Sequence, residues 1–141
     1  QYPADIDWPA NVDRIDHVPP SKHPDFYAAS RFTLNVTRAD MIRAGYSPSV
    51  RLFEAAACGA PIISDRWDGL TDLLPDGQAI LIADTTEQVI DILQRTSAAR
   101  SQDIADTARR IVLATHTGSA RARELVEAID SVLQSRMIGC A

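Results

Sequence analysis

Cysteine, lysine, aromatic residues and long apolar runs are all scarce in this chain of 141 residues. The two cysteines, Cys58 and Cys140, are too few and too far apart for a disulfide framework. That excludes the small disulfide-stapled secreted class and makes a reducing compartment, the cytoplasm, the expected location. No apolar run approaches the ~18 residues that a membrane-crossing helix needs, and no segment has the pattern of a signal peptide. Positive charge is also short: the formal net charge is -5. A general nucleic-acid binder usually carries a basic face, so this balance argues against one and leaves room only for a local basic patch. No repeat or low-complexity tract interrupts the chain.

What is present fits a single globular domain, since the length suffices for a real core. The opening "QYPADIDWPANVDRID" sets Pro3 and Pro9 among acids and has no helical or strand period before Val12. It reads like a loop that follows a strand, with a first strand expected upstream. Tyr2 and Trp8 in this loop are expected either to cover the sheet or to touch a base. "VDRIDHV" then predicts a short strand, "HPDFYAAS" a short helix with Pro24 in its first turn, and "RFTLNVTR" a second strand. "SPSVRLFEAAACG" predicts a helix with Ser47 as N-cap, Pro48 at the first position and Gly59 as its stop. "PIISD" follows as a buried strand, "DGLTDLL" as a short helix, "PDG" as a turn and "QAILIAD" as a fourth strand. Thr85 caps the amphipathic "TTEQVIDILQR", and helix continues from Ala98 to about Arg136 except for a break near "THTGS".

Strands alternating with helices through short loops predict a parallel sheet, and the weak polar alternation of "FTLNV", "PIIS" and "AILIA" suits strands covered on both faces. The expected fold is α/β, a Rossmann-like, doubly wound parallel sheet of about four strands with a helical C-terminal segment. Residues 1–97 form the sheet domain in this reading, and residues 98–141 form helices packed on it. Such sheets bind ligands at the carboxyl ends of their strands. Those ends carry His17 and Val18, then Asn35, Thr37 and Arg38.

The helix that begins after "AGYSPS" faces the same edge. The backbone N–H groups of Ser49 and Val50 at its start form a ready anion site. Arg51 lies in the first turn, where the macrodipole disfavours a cation. An anion such as a diphosphate resolves that conflict; so does an ion pair with Glu54, three residues on along the same face. Glu54 itself is a carboxylate inside an alanine-rich helix, costly to bury without a partner. A carboxylate is also the acceptor that reads a ribose diol. His17, His23 and His116 have no zinc-like spacing and are expected at the surface or in loops. Cys58 is expected as a small packing residue.

The stretch "NVTRADMIRAGYSPSVRLFEAAACGAPIISDRWDGLTDLLPDGQAILIAD" closely resembles the C-terminal donor-binding domain of GT-B glycosyltransferases, nearest the CgeB-like, spore-maturation subgroup. The likeness spans roughly Val12 to Leu93, plus "THTGSARARELV". It implies one half of a GT-B fold, with Glu54 on the ribose hydroxyls of a nucleotide-sugar. It also implies Ser47 to Arg51 near the diphosphate and His17-Val18 beside the nucleobase. No cofactor or metal is implied beyond the nucleotide-sugar donor. An N-terminal acceptor domain is the implied partner, and one half of a two-domain cleft is expected to be inactive by itself. Many retaining members carry a Glu, seven intervening residues, then a second Glu; Tyr46 stands where the first Glu would be, so retaining and inverting chemistry both stay open. A non-catalytic Rossmann-like nucleotide-binding or regulatory module is the alternative. A phosphoacceptor receiver domain is a further alternative, disfavoured because no strand of this chain ends in the paired acids such a domain needs.

Overall fold

The computed structural model describes residues 5–138. Tyr2 lies outside the described residues, whereas Trp8 in the same loop is half-buried. Three strands, β1 (Thr33–Asn35), β2 (Ile62–Ser64) and β3 (Leu81–Ile82), form a parallel sheet in the order β1-β2-β3. The register sets Thr33 opposite Ile62, Asn35 opposite Ser64, and Ser64 opposite Ile82. All of β2 is buried, as a central parallel strand covered on both faces must be.

The sheet therefore has three strands, one fewer than the sequence predicts. Val12–Val18 is irregular, and all of it but the half-buried Val18 is exposed, with Val12 and Ile15 open to solvent. Its apolar residues find no neighbouring strand, and the Pro19-Pro20 pair that follows starts a 3-10 turn over Pro20–Lys22. Three short helices complete the first layers: α1 (His23–Ala28), α2 (Ala39–Ala44) and, after the turn that follows it, α3 (Val50–Ala57). The second of these falls in the polar segment that carries no apolar period.

The start of α3 lies two residues later than predicted. Ser49, not Ser47, is the N-cap: it is extended and its hydroxyl accepts from the Arg51 N–H at 3.3 Å. Both serines have the side chain for the task, and only Ser49 is followed directly by helical backbone. The stop falls where Gly59 predicts it. Gly59 adopts φ +75° and donates to Ala56 O, while the Ala60 N–H reaches back to Ala55 O, a Schellman closure that requires a left-handed residue.

The short α4 (Leu70–Leu73) leads to β3, and α5 (Thr86–Arg95) begins at the predicted Thr85 cap. The last two helices are α6 (Ala98–Thr115) and α7 (Gly118–Ile138), with the break at His116-Thr117 inside "THTGS". Leu52, Ala55 and Ala56 of α3 share one core cluster with Ala108 and Val112 of α6, so small side chains let the two helices meet closely. Cys58 is half-buried against the same cluster, and its thiol is pushed up by burial and then by Glu54.

The α6–α7 break is pinned from several sides. Arg121 Nε donates to Thr115 O at 3.0 Å, its guanidinium lies 3.2 Å from His116 Nδ1, and the His116 ring packs 5.3 Å from Phe53 of α3. Burial, followed by the Arg121 charge, lowers the His116 pKa below its ordinary 6.5, against an opposing pull from Glu124. A depressed imidazole stays neutral in the fold while the unfolded chain takes up the proton, so stability rises with pH through this window and falls as the pH drops below 6.5. An NMR titration should place the His116 midpoint below 6.5, and His116→Gln should flatten the stability–pH curve there. An unshifted midpoint would contradict the packing argument.

Candidate functional site

The strand ends carry a compact polar junction. Asn35 is 1% exposed, and its Nδ2 donates to Ser64 Oγ at 2.9 Å and to Thr37 Oγ1 at 3.3 Å. Asp65 then takes both polar groups of Thr37: the backbone N–H donates to Oδ2 at 2.9 Å and the hydroxyl to Oδ1 at 2.6 Å. Thr37 thus fastens the loop after β1 to the end of β2. Asn35 Oδ1 is buried without a hydrogen-bond partner among the described residues.

Beside β1 opens a cavity of about 750 Å³ whose lining includes Tyr27, Leu34, Arg38 and Arg51. Arg38 and Arg51 are exposed and neither makes an ion pair among the described residues. The two guanidiniums form a basic rim on an acidic protein, at the beginning of α3. Val50, next to Arg51, is 68% exposed in the first turn. Tyr27 is buried in the wall, and desolvation together with the Glu54 charge raises its pKa, against the Arg51 charge.

Glu54 does not pair with Arg51. Its nearest cation-capable neighbour is His23, whose Nδ1 lies 3.6 Å from Glu54 Oε1, and the glutamate side chain is 38% exposed. His23 Nε2 meanwhile sits 3.0 Å from Val18 O. The His23–Glu54 distance is too long for a hydrogen bond, and the contact is an ion pair only with a protonated ring. Glu54 makes no side-chain hydrogen bond among the described residues and is partly exposed, so its carboxylate keeps acceptor capacity. His23 is the residue that sequence reasoning missed. It joins the Val18 loop to Glu54, and only its position at a helix start signalled anything. His17 is exposed and makes no hydrogen bond among the described residues.

Tyr46 occupies a left-handed conformation, φ 47°, that is uncommon for a non-glycine residue and costly to hold. Its N–H donates to Asp68 O at 2.7 Å, and its ring lies over Gly69 while remaining 74% exposed. The loop before α3 is therefore locked to the "DRWDG" loop after β2. Ser47, in the loop before α3, is half-buried. Of the expected site residues, Arg38 and Arg51 share the cavity rim, and Val18 and Glu54 meet through His23. Asn35 and Thr37 share the polar junction, Ser49 caps α3, and Tyr46 faces the neighbouring loop.

The molecule is a parallel α/β sheet with an open cavity beside its first strand, rimmed by Arg38 and Arg51. Residues 2–127 match the sequence model of the glycosyl transferase-like family, and the chain belongs to that family. The fold is similar to part of the solved structure of sucrose-phosphate synthase from Thermosynechococcus elongatus, with a TM-score of 0.58 at 17% sequence identity. That match covers 78% of this chain and 27% of the synthase, so the chain spans about a quarter of its length. The likeness bears out an α/β fold corresponding to one half of a GT-B enzyme. No curated protein matches the chain significantly. Among the described residues no helix is long and apolar enough to cross a membrane, and no cluster of side chains suits a metal ion.

The Tyr46 lock yields a test. A Cβ on Gly69 would stand 2.4 Å from Tyr46 Cδ1, and Gly69 itself has φ +95°. Gly69→Ala should destabilise the protein by about 1–2 kcal/mol from the backbone alone, plus the cost of displacing the ring. Urea unfolding of Gly69→Ala, Tyr46→Ala and the pair should show that removing the ring recovers only part of the loss. A strictly additive pair would mean the two loops are not locked through this contact.

Proposed function

We propose that this chain is the nucleotide-sugar-binding part of a GT-B glycosyltransferase of the CgeB-like type, passing a sugar from a nucleoside diphosphate to an acceptor. The observation that supports it most is the pairing of a basic rim, Arg38 and Arg51, with a carboxylate one turn along α3 that has no cation bound tightly to it. A nucleoside diphosphate needs both features on one side of a sheet edge. In this reading the diphosphate lies against Arg51, Arg38 and the first turn of α3, at Ser49 and Val50. Glu54 accepts from the ribose hydroxyls, and the base lies beside His17 and Val18. Ser47 and Tyr46 shape the loop over the phosphates, while Asn35 and Thr37 hold the strand ends in place.

The chemistry follows from charge. Transfer breaks the bond between the sugar C1 and the diphosphate oxygen, which leaves with the electron pair, while C1 bonds to an acceptor oxygen that loses its proton. Two guanidiniums stabilise the negative charge on the departing diphosphate, a preorganised electrostatic contribution that needs neither metal nor cofactor. The acceptor and the base that takes its proton belong to a second domain in this proposal. Residues 1–97 form the donor-binding unit and residues 98–141 its packed helices, and the unit alone binds a nucleotide without turnover.

Glu54→Gln should weaken binding of UDP or GDP more than of the 2′-deoxy forms, by about tenfold to a hundredfold, since a hydrogen bond to a charged group contributes roughly 1.5–3 kcal/mol. Isothermal titration with both ligand sets reads the contrast; equal weakening would remove the diol assignment. Arg51→Ala should lower affinity for the diphosphate but not for the bare nucleoside, with a melting temperature nearly unchanged, because an exposed arginine without an ion pair adds little to stability. A large melting shift with equal loss for both ligands would make Arg51 structural.

A further inference from the structure

The last helix, α7, stands almost free of the domain. Ala120 is half-buried in its first turn, and every residue from Arg121 to Ser135 is exposed. A helix of 21 residues held at one end has little to stabilise it besides local pairs such as Arg121–Glu124. One of its faces is nevertheless patterned for burial. Leu125, Val126, Ile129, Val132 and Leu133 follow one another at helical spacing, and each is 49–62% exposed. With Ala122 they form one stripe, at the positions that a pair of helices buries. An apolar stripe left in water on a free-standing helix points to a partner. None of these residues belongs to the binding site proposed above.

Charge identifies that partner. Between Gly118 and Ser135 the helix has two arginines and three acids, so its polar face is not the basic one that lies on anionic lipid. Arg123 and Asp130 stand seven residues apart, which places both on one flank of the stripe. Two copies of α7 running antiparallel about a two-fold axis set Leu125 opposite Ile129 and Ala122 opposite Val132, each pairing occurring twice. The axis makes like flanks meet, so Arg123 comes level with Asp130 of the other copy, again twice. Parallel pairing instead brings Arg123 beside Arg121 of the other copy, a like-charge contact, and crowds both domains at the same end.

We propose that α7 is a self-association surface, and that two copies of this chain pair through it as antiparallel helices. The seam is the stripe centred on Val126 and Ile129, and the two Arg123–Asp130 pairs on its flank set direction and register. A shallow cavity of about 290 Å³, lined by Ala122, Arg123, Val126 and Glu127, gives the facing helix a recess. The two sheet domains lie at opposite ends of the pair.

Sedimentation equilibrium of the whole chain, from micromolar to millimolar concentration, should show a monomer–dimer equilibrium that follows mass action. Ile129→Glu puts a charge at the centre of the seam and should weaken dimerisation by roughly a hundredfold or more. Asp130→Arg should weaken it by roughly threefold to tenfold, and adding Arg123→Asp to that variant should restore it. The amide spectrum of the sheet domain should stay the same in all of these, since the substituted side chains are exposed in the single chain. With Cys140→Ser as background, Val126→Cys should form a disulfide between copies. Ser135→Cys should not, because antiparallel pairing holds the two Ser135 positions far apart. A monomer at every concentration would overturn the proposal. So would a dimer that Ile129→Glu leaves intact, or a disulfide through Ser135→Cys, which marks parallel pairing.

Discussion

The contact between Asn35 and Ser64 governs much else in this fold. Both side chains are almost wholly buried at the ends of adjacent strands, and each buried polar group left unpaired costs about 1–3 kcal/mol. A slip of the β1–β2 pairing by one residue would set the Asn35 carboxamide against Ile63 and remove the bond that Ser64 Oγ accepts from it. The polar pair therefore specifies register more sharply than the surrounding isoleucines can, since apolar contacts are not directional. Asp65 extends the same logic one residue outward by holding the N–H and hydroxyl of Thr37. The loops that leave these strand ends, and the start of α3, inherit their positions from that junction.

The alanine-rich face of α3 is the second consequence. A helix lying between a sheet and another helix needs small side chains where the neighbours approach, and Ala55 and Ala56 meet that need beside Ala108. The same narrowness leaves no room for a fully buried carboxylate. Glu54 is instead partly exposed, with the His23 ring 3.6 Å from its carboxylate. An acid within an apolar helix is thus reconciled without a tight internal ion pair.

The elements that could be read from the sequence are those whose signals are local. Thr85 capping α5, Gly59 closing α3 and the break at His116-Thr117 each depend on one or two residues with a specific backbone role. The strand expected at Val12–Val18 fails because strand pairing is non-local: spaced apolar residues stay exposed where no neighbour receives them. The N-cap moved from Ser47 to Ser49 because two serines flank Pro48 and composition cannot rank them. Arg38, Arg51 and Glu54 were legible as charges out of place on a helix or loop. The His23 bridge and the Tyr46 lock were not, since each joins segments far apart in sequence.

Charge placement carries the remaining argument. The protein is acidic overall, so uncompensated arginines are attracted to many other surfaces, yet Arg38 and Arg51 stand together at one cavity. Arg51 also opposes the positive end of the α3 dipole, a cost of a few tenths to about 1 kcal/mol that no ion pair among the described residues offsets. Two cations held against that gradient raise the local potential where the sheet edge opens. Glu54, one turn further along, reverses the sign. A ligand aligned with this gradient must place an anion toward the helix start and donor groups toward Glu54. A simple phosphate satisfies the first demand alone, and a neutral sugar only the second. In the proposed reading a nucleoside diphosphate meets both demands, with its charge at the start of α3 and its ribose hydroxyls at Glu54.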